Sequence, residues 1–162
     1  MAVHAFNQRD VAGILAMIRT LAARVDAVHE RTLALPRRPR VYFEEWDEPM
    51  ISGIGWVSEL IGVAGGIDVF ADLSAQKSAK DRIVSAEQVI AAKPDIIVGS
   101  WCGKKFVPKR VAARPGFDAV PAVATGWLRE VKSTIILQPG PAALTDGVDA
   151  LAAIIKEWAS AE

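Results

Sequence analysis

The stretch from Ser85 to Gly99 constrains the fold of this chain more than any other. Ser85 and Gln88 stand three apart ahead of an apolar run, the spacing of a capping box in which each side chain bonds the other's backbone N–H. Pro94 excludes the right-handed helical region for Lys93, so a helix begun at Ser85 stops there. Ile96, Ile97 and Val98 then form an unbroken β-branched run, as expected of a strand buried on both faces in a parallel sheet. A helix that feeds a parallel strand implies an α/β layered fold. Ligands of such folds sit beyond the carboxyl ends of the strands. Here that position is Ser100-Trp101-Cys102-Gly103-Lys104.

The flanking sequence fits the same architecture. Val11, Ile14, Leu15, Ile18, Leu21, Val25 and Val28 recur at three- and four-residue steps and predict one long amphipathic helix over residues 7–33. Asn7 is placed to cap it, and Phe6 to staple onto Val11. The basic run Arg37-Arg38-Pro39-Arg40 reads as a solvated connector. A first strand is expected at Arg40–Glu44, and a helix over Gly53–Ala64 closed by Gly65-Gly66. A short edge strand is expected within Ile67–Leu73, and Ser74–Arg82 reads as a mobile surface loop. Further expectations are a helix within Lys104–Ala113 and a strand around Val123 in Ala119–Ala124. Thr134–Leu137 reads as β-rich. A last helix opens at Pro139-Gly140-Pro141 and carries Leu144, Val148, Leu151, Ile155 and Trp158 on one stripe.

The bulk numbers exclude several classes. The 162 residues suit one well-buried core. Lys plus Arg and Asp plus Glu both total 19, so the chain lacks the basic footprint of a nucleic-acid binder. No apolar run reaches the length of a membrane span. The only cysteine is Cys102, so an internal disulfide is impossible. CxxC, HxxxH, GxGxxG and P-loop patterns are all missing.

The candidate site residues follow from the strand ends. Trp46, Trp101 and Trp127 each come soon after an expected strand, and parallel neighbours would gather the three indoles on one rim. An indole there offers a flat face for stacking and one N–H for orientation, which suits a planar or bulky ligand; capping of the core is the competing reading. Trp56 and Trp158 fall on apolar helix stripes and read as core. Cys102 sits at a strand-end turn where a nucleophile would be exposed. The only histidines, His4 and His29, belong to the N-terminal helical segment, so no base is at hand. Lys104 and Lys105 would lower the pKa of that thiol without making it catalytic. Glu44, Glu45, Asp47 and Glu48 read as a solvated acidic rim, since adjacent strand positions point to opposite faces. Glu87 lies in the first turn of its helix, where a carboxylate favours the helix dipole.

The run Val84-Ser85-Ala86-Glu87-Gln88-Val89, followed by Lys93-Pro94-Asp95-Ile96-Ile97-Val98, carries a family resemblance. Val41-Tyr42-Phe43-Glu44, Asp47-Glu48-Pro49-Met50-Ile51-Ser52-Gly53, Trp56-Val57, Leu60-Ile61 and Ala64-Gly65-Gly66 add to it. Residues 40–158 resemble the second lobe of the substrate-binding proteins of ABC importers for cobalamin, iron–siderophore and haem, most of all the cobalamin binders. Residues 1–36 are similar to the rigid helix that joins the two lobes of that family, leaving 37–162 as the substrate-binding lobe. The resemblance implies a three-layer α/β lobe with a mainly parallel sheet, no catalytic residues, and no resident cofactor or protein-held metal. It implies cobalamin or another metal chelate as ligand, met by Trp46, Met50, Trp101, Cys102 and Trp127. It also implies an ABC permease as partner, with Glu87 as the glutamate that docks on permease arginines. The first lobe and an export signal are expected to be missing. Location is therefore periplasmic by resemblance, and cytoplasmic if the chain is complete as given.

Two other readings stay open on the sequence: a small α/β enzyme with Cys102 as nucleophile, and a ligand-free lobe that forms a homo-oligomer through the N-terminal helix.

Overall fold

A computed structural model of the protein describes residues 8–161. The N-terminal helix α1 spans Gln8–Leu33; the expected cap Asn7 and staple Phe6 lie outside the described residues. Strand β1 (Arg40–Asp47) turns into the short antiparallel β2 (Met50–Ser52), and α2 (Gly55–Val63) follows. Gly65 ends that helix with φ of +91°, the left-handed conformation for which glycine carries no steric cost. After β3 (Ile67–Asp68) and the single turn α3 (Ala71–Ser74), the chain enters α4 (Ala86–Ala92) and β4 (Ile96–Gly99). The capping box forms as expected. The Ser85 hydroxyl accepts from the Gln88 N–H at 3.2 Å, and the Gln88 side chain accepts from the Ser85 N–H at 2.8 Å. Lys93, held out of the right-handed region by Pro94, closes α4 in the left-handed conformation.

The remaining elements are α5 (Pro108–Ala112), α6 (Pro121–Ala124), β5 (Leu128–Glu130), α7 (Ser133–Ile136) and α8 (Val148–Ser160). The sheet runs β2-β1-β4-β5, with β3 beside the start of β1; β1, β3, β4 and β5 are mutually parallel where they pair. Period-two alternation divides the core between the two faces of the sheet. Val41 and Phe43 of β1 and Ile96 and Val98 of β4 point to the layer of α1, α2 and α8, among Val28, Leu60, Ile61, Leu151 and Ile155. Tyr42 and Ile97 point the other way, among Val89 of α4, Val111 of α5, Phe117 and Val120. Helices on both sides of a mainly parallel sheet make the three-layer α/β fold expected from the sequence. Trp56 and Trp158 pack against the first of these clusters, also as expected.

Several local expectations are corrected. Ala119–Ala124 is not a strand. Pro121 has the φ of a first helical residue and starts α6, and the strand comes later, at Leu128–Glu130. Thr134–Leu137 falls in the turn of α7 rather than a strand. Ser74–Arg82 lies at the surface as expected, but its far end is tied down, since Arg82 is buried and ion-paired with Glu45. The Arg37–Arg40 run has its three arginines exposed, as expected of a solvated connector, and they also bond the fold. Arg37 donates to the carbonyls of Trp158 and Ala161 at the end of α8, and Arg38 to Gly65 and Gly66 beyond α2. Arg40 donates to Ala92 at the end of α4. Carbonyls at the ends of α8 and α4, and just beyond the end of α2, are thus met by one short basic segment.

The apolar stripe of α1 is covered only in part. Val28 is fully buried, whereas Ile14, Leu15, Met17 and Ile18 are each about half exposed. Among the described residues no helix is long and apolar enough to cross a membrane.

Candidate binding edge

Because β1, β4 and β5 are parallel, their carboxyl ends share one edge of the sheet. That edge is built from Glu44–Asp47, Ser100–Lys105 and Glu130–Thr134. The loop after β4 folds back over its own strand and sets Phe106 on Gly99. A Cβ on Gly99 would lie 1.8 Å from that ring, so only glycine fits. Phe106 in turn meets Trp101 edge to face, with ring centroids 5.0 Å apart.

A charged cluster lies beneath the rim. Glu44 is wholly buried, with 0% exposure. Its carboxylate accepts from both guanidinium nitrogens of Arg114 at 2.6 and 2.9 Å, from the Tyr42 hydroxyl at 3.0 Å and from the Trp101 indole N–H at 2.9 Å. Every lone-pair direction is used, which is what a buried carboxylate requires. Burial and the neighbouring Glu44 push the Tyr42 phenol well above its usual range. Burial alone would lower Arg114, but its hydrogen bonds to Glu44 leave it raised. Asp47, also buried, is ion-paired with Lys104 and lies 3.6 Å from Arg110. Burial works to raise its carboxyl, and Lys104 with Arg110 hold it below the ordinary value. The acidic stretch is therefore not the solvated rim expected from sequence. Glu44 and Asp47 are buried and paired, Glu45 bonds Arg82, and Glu48 alone is largely exposed. Glu44 and Glu45 do point to different partners, as strand alternation requires.

Of the expected site residues, the structure gathers some and separates others. Trp46 and Trp101 share the edge, and the Lys104 ammonium sits over both rings, 4.1 and 5.4 Å from their centroids. Trp101 is only 3% exposed. Met50 is half-buried, and its thioether accepts from Arg114 at 3.2 Å. Cys102 is exposed in the turn after β4. Among the described residues no histidine is near it: His29 of α1 lines a recess with Arg38 and Gly65. Trp127 does not join the others. It precedes β5 instead of following a strand, and its carbonyl accepts from the Ile97 N–H at the amino end of β4. It lies at the opposite edge of the sheet, beside Arg37, Asp95 and Trp158. Glu87 is exposed on the first turn of α4, and the Ser85 hydroxyl and the helix-start N–H hold its carboxyl below the usual range. Among the described residues no cluster of His, Cys, Asp and Glu could hold a metal ion.

The basic lining of this edge is drawn from two loops far apart in the chain, which the sequence alone does not bring together. A concavity of about 320 Å3 opens between the loops after β4 and β5, with Lys104, Lys105 and Lys132 around it and Ser133 and Thr134 at one side. Glu130 sits among them. Its two oxygens accept from the Phe106 N–H at 3.1 Å and from Lys132 at 2.7 Å.

A family model described as periplasmic binding protein matches residues 6–134. No curated protein matches the sequence. Among solved structures, a periplasmic haem-binding protein, BhuT, in complex with two haems superposes with a TM-score of 0.72 at 21% identity, over 93% of this chain and 57% of its own. The periplasmic vitamin B12 binding protein BtuF of Vibrio cholerae gives 0.65 at 20% identity, over 86% of this chain and 52% of its own. An ABC-type Fe3+-hydroxamate transport system protein of Saccharomonospora viridis gives 0.65 at 22%, over 86% of this chain and 48% of its own. At these identities the likeness is one of fold, and the chain spans about half the length of each.

Proposed function

The chain belongs to the periplasmic binding protein family, and from that premise we propose that it is the second lobe of the substrate-binding component of an ABC importer for a metal chelate. A corrinoid, a haem or a ferric siderophore is the class of ligand; cobalamin is one member of it. The observation that carries this reading is an open concavity between the ends of the parallel strands β4 and β5, with the end of β1 on the same edge, in a fold shared with cobalamin, haem and hydroxamate proteins. Ligand is taken at the loops after β1, β4 and β5, around Trp46, Trp101 and Lys104. Trp127, on the far edge, has no part in it.

Glu87 serves as the contact to the permease. It is exposed, it stands on the first turn of a helix fixed by its own capping box, and it remains ionised at neutral pH. A rigidly presented carboxylate suits docking on arginines of a partner. We read the site as binding rather than catalytic, since among the described residues no histidine stands near Cys102 to serve it as a base.

The test is calorimetric titration of the purified chain with cyanocobalamin, haemin and ferrichrome. Weak but saturable binding of at least one is the expected result, since one lobe supplies only part of a two-lobed cleft. No heat with any of the three would sink the reading.

A further inference from the structure

The charge around the concavity narrows the ligand class, and this step rests on the function just proposed. Three lysines and one glutamate line the space, an excess of two positive charges. Farther out, Asp47 and Glu48 outnumber Arg110 by one, so one net positive charge remains. Its origin is identifiable. Lys104 is engaged by Asp47 and Lys132 by Glu130, whereas Lys105 is exposed and pairs with no carboxylate among the described residues.

The one carboxylate that lines the concavity is already engaged. Both oxygens of Glu130 are taken, and its carboxyl, which burial alone would raise, is held low by Lys132, the Phe106 N–H and, more weakly, the charge of Lys105. What stays free is a set of donors, Lys105 with the Ser133 and Thr134 hydroxyls beside it. The flat faces are used as well, because Lys104 lies over both Trp46 and Trp101. With Trp101 buried and one face of Trp46 covered, little bare indole is left for a macrocycle to stack on. The volume, about 320 Å3, lies at the low end for ligand sites and fits a head group better than a whole corrin or porphyrin.

We infer that this edge receives an anionic head group, a carboxylate carried by the metal chelate, held by Lys105 and Lys132 with Ser133 and Thr134, and that uncharged chelates are selected against. The exposed lysine also raises the encounter rate of an acidic ligand, an effect that salt screens.

The experiment compares haemin, whose two propionates are ionised, with haemin dimethyl ester, which has the same ring without the carboxylates. Ferric citrate, ferrichrome and cyanocobalamin are run beside them, against the unaltered chain and Lys105→Glu. Haemin or ferric citrate is expected to bind about tenfold more tightly than the uncharged probes at low salt. Lys105→Glu is expected to remove about that factor while leaving the dimethyl ester unaffected, with circular dichroism showing an unchanged fold. If the ester or ferrichrome binds as tightly as the acids, or Lys105→Glu changes nothing, the charge inference is overturned and the binding function stands. If no probe binds at all, the function fails and the inference falls with it.

Discussion

The two edges of the sheet hold the same kinds of side chain and use them differently. At the amino edge, Arg37 and Arg129 lie over Trp158 and Trp127, and Arg37, Arg38 and Arg40 bond helix-terminal carbonyls. At the carboxyl edge, Lys104 lies over Trp46 and Trp101, and the cations face carboxylates until Lys105 is left over. Cations and indoles at a rim do not by themselves make a site. What separates the edges is whether the donors already have partners inside the fold. At the amino edge the arginines already bond carbonyls of the fold, so that edge is structural.

The comparison is most exposed to failure beneath the binding edge, at Glu44. Glu44→Ala would leave Arg114 half-buried with its partner gone, along with the bonds from Tyr42 and Trp101. Removing one member of a buried pair typically costs about 3–5 kcal/mol, and urea unfolding should show a loss of that size. A loss below about 1 kcal/mol would mean that the cluster is not what seats the edge. The amino edge should respond more weakly to a similar change. Arg38→Met removes donors from Gly65 and Gly66 at the end of α2 and should cost about 1 kcal/mol while leaving chelate affinity unchanged. A change in affinity there would break the division of labour.

The two edges should also differ in their response to acid. Asp47 and Glu130 titrate below their ordinary values in the folded protein, so the unfolded chain binds their protons first as pH falls. Their contribution to stability is full above the unfolded carboxyl pKa near 4 and is lost as pH drops through the folded values. Arginine–carbonyl bonds do not titrate there. Amide exchange measured between about pH 5 and pH 3 should therefore loosen around Asp47 and Glu130 before it loosens around Arg38. Asp47→Asn should flatten part of that dependence. Uniform loosening of both edges would contradict the assignment.

What was legible in the sequence follows the range of the interactions. The Ser85 cap, the stop at Pro94 and the buried run Ile96–Val98 depend on neighbours a few residues away, and they gave the layer order and the family. Glu44 could not be read, because Arg114 and Trp101 reach it across 70 and 57 residues. The arginines of the connector were equally hidden, with carbonyl partners at Gly65, Ala92 and Trp158. Trp127 was misplaced for a local reason. Leu128-Arg129-Glu130 has one apolar residue in three and no strand signal, while the apolar Ala119–Ala124 stretch imitates one until Pro121 is taken as a helix start. Lys104 and Lys105 were in view only as neighbours of Cys102, since nothing in the chain order links them to Lys132.

The smallest effect on stability is the most diagnostic. Lys105→Gln removes a cation that makes no hydrogen bond or ion pair among the described residues, so the unfolding free energy should stay within about 0.5 kcal/mol of the unaltered chain. Arg37→Gln removes a cation that closes α8 and covers Trp158, and it should cost about 1 kcal/mol. Paired urea titrations of the two variants test the difference directly. A charge whose loss the fold does not register is free to act on something outside it; one whose loss the fold does register is already in use. Should Lys105→Gln destabilise as much as Arg37→Gln, Lys105 would have a structural partner after all, and the asymmetry between the edges would vanish.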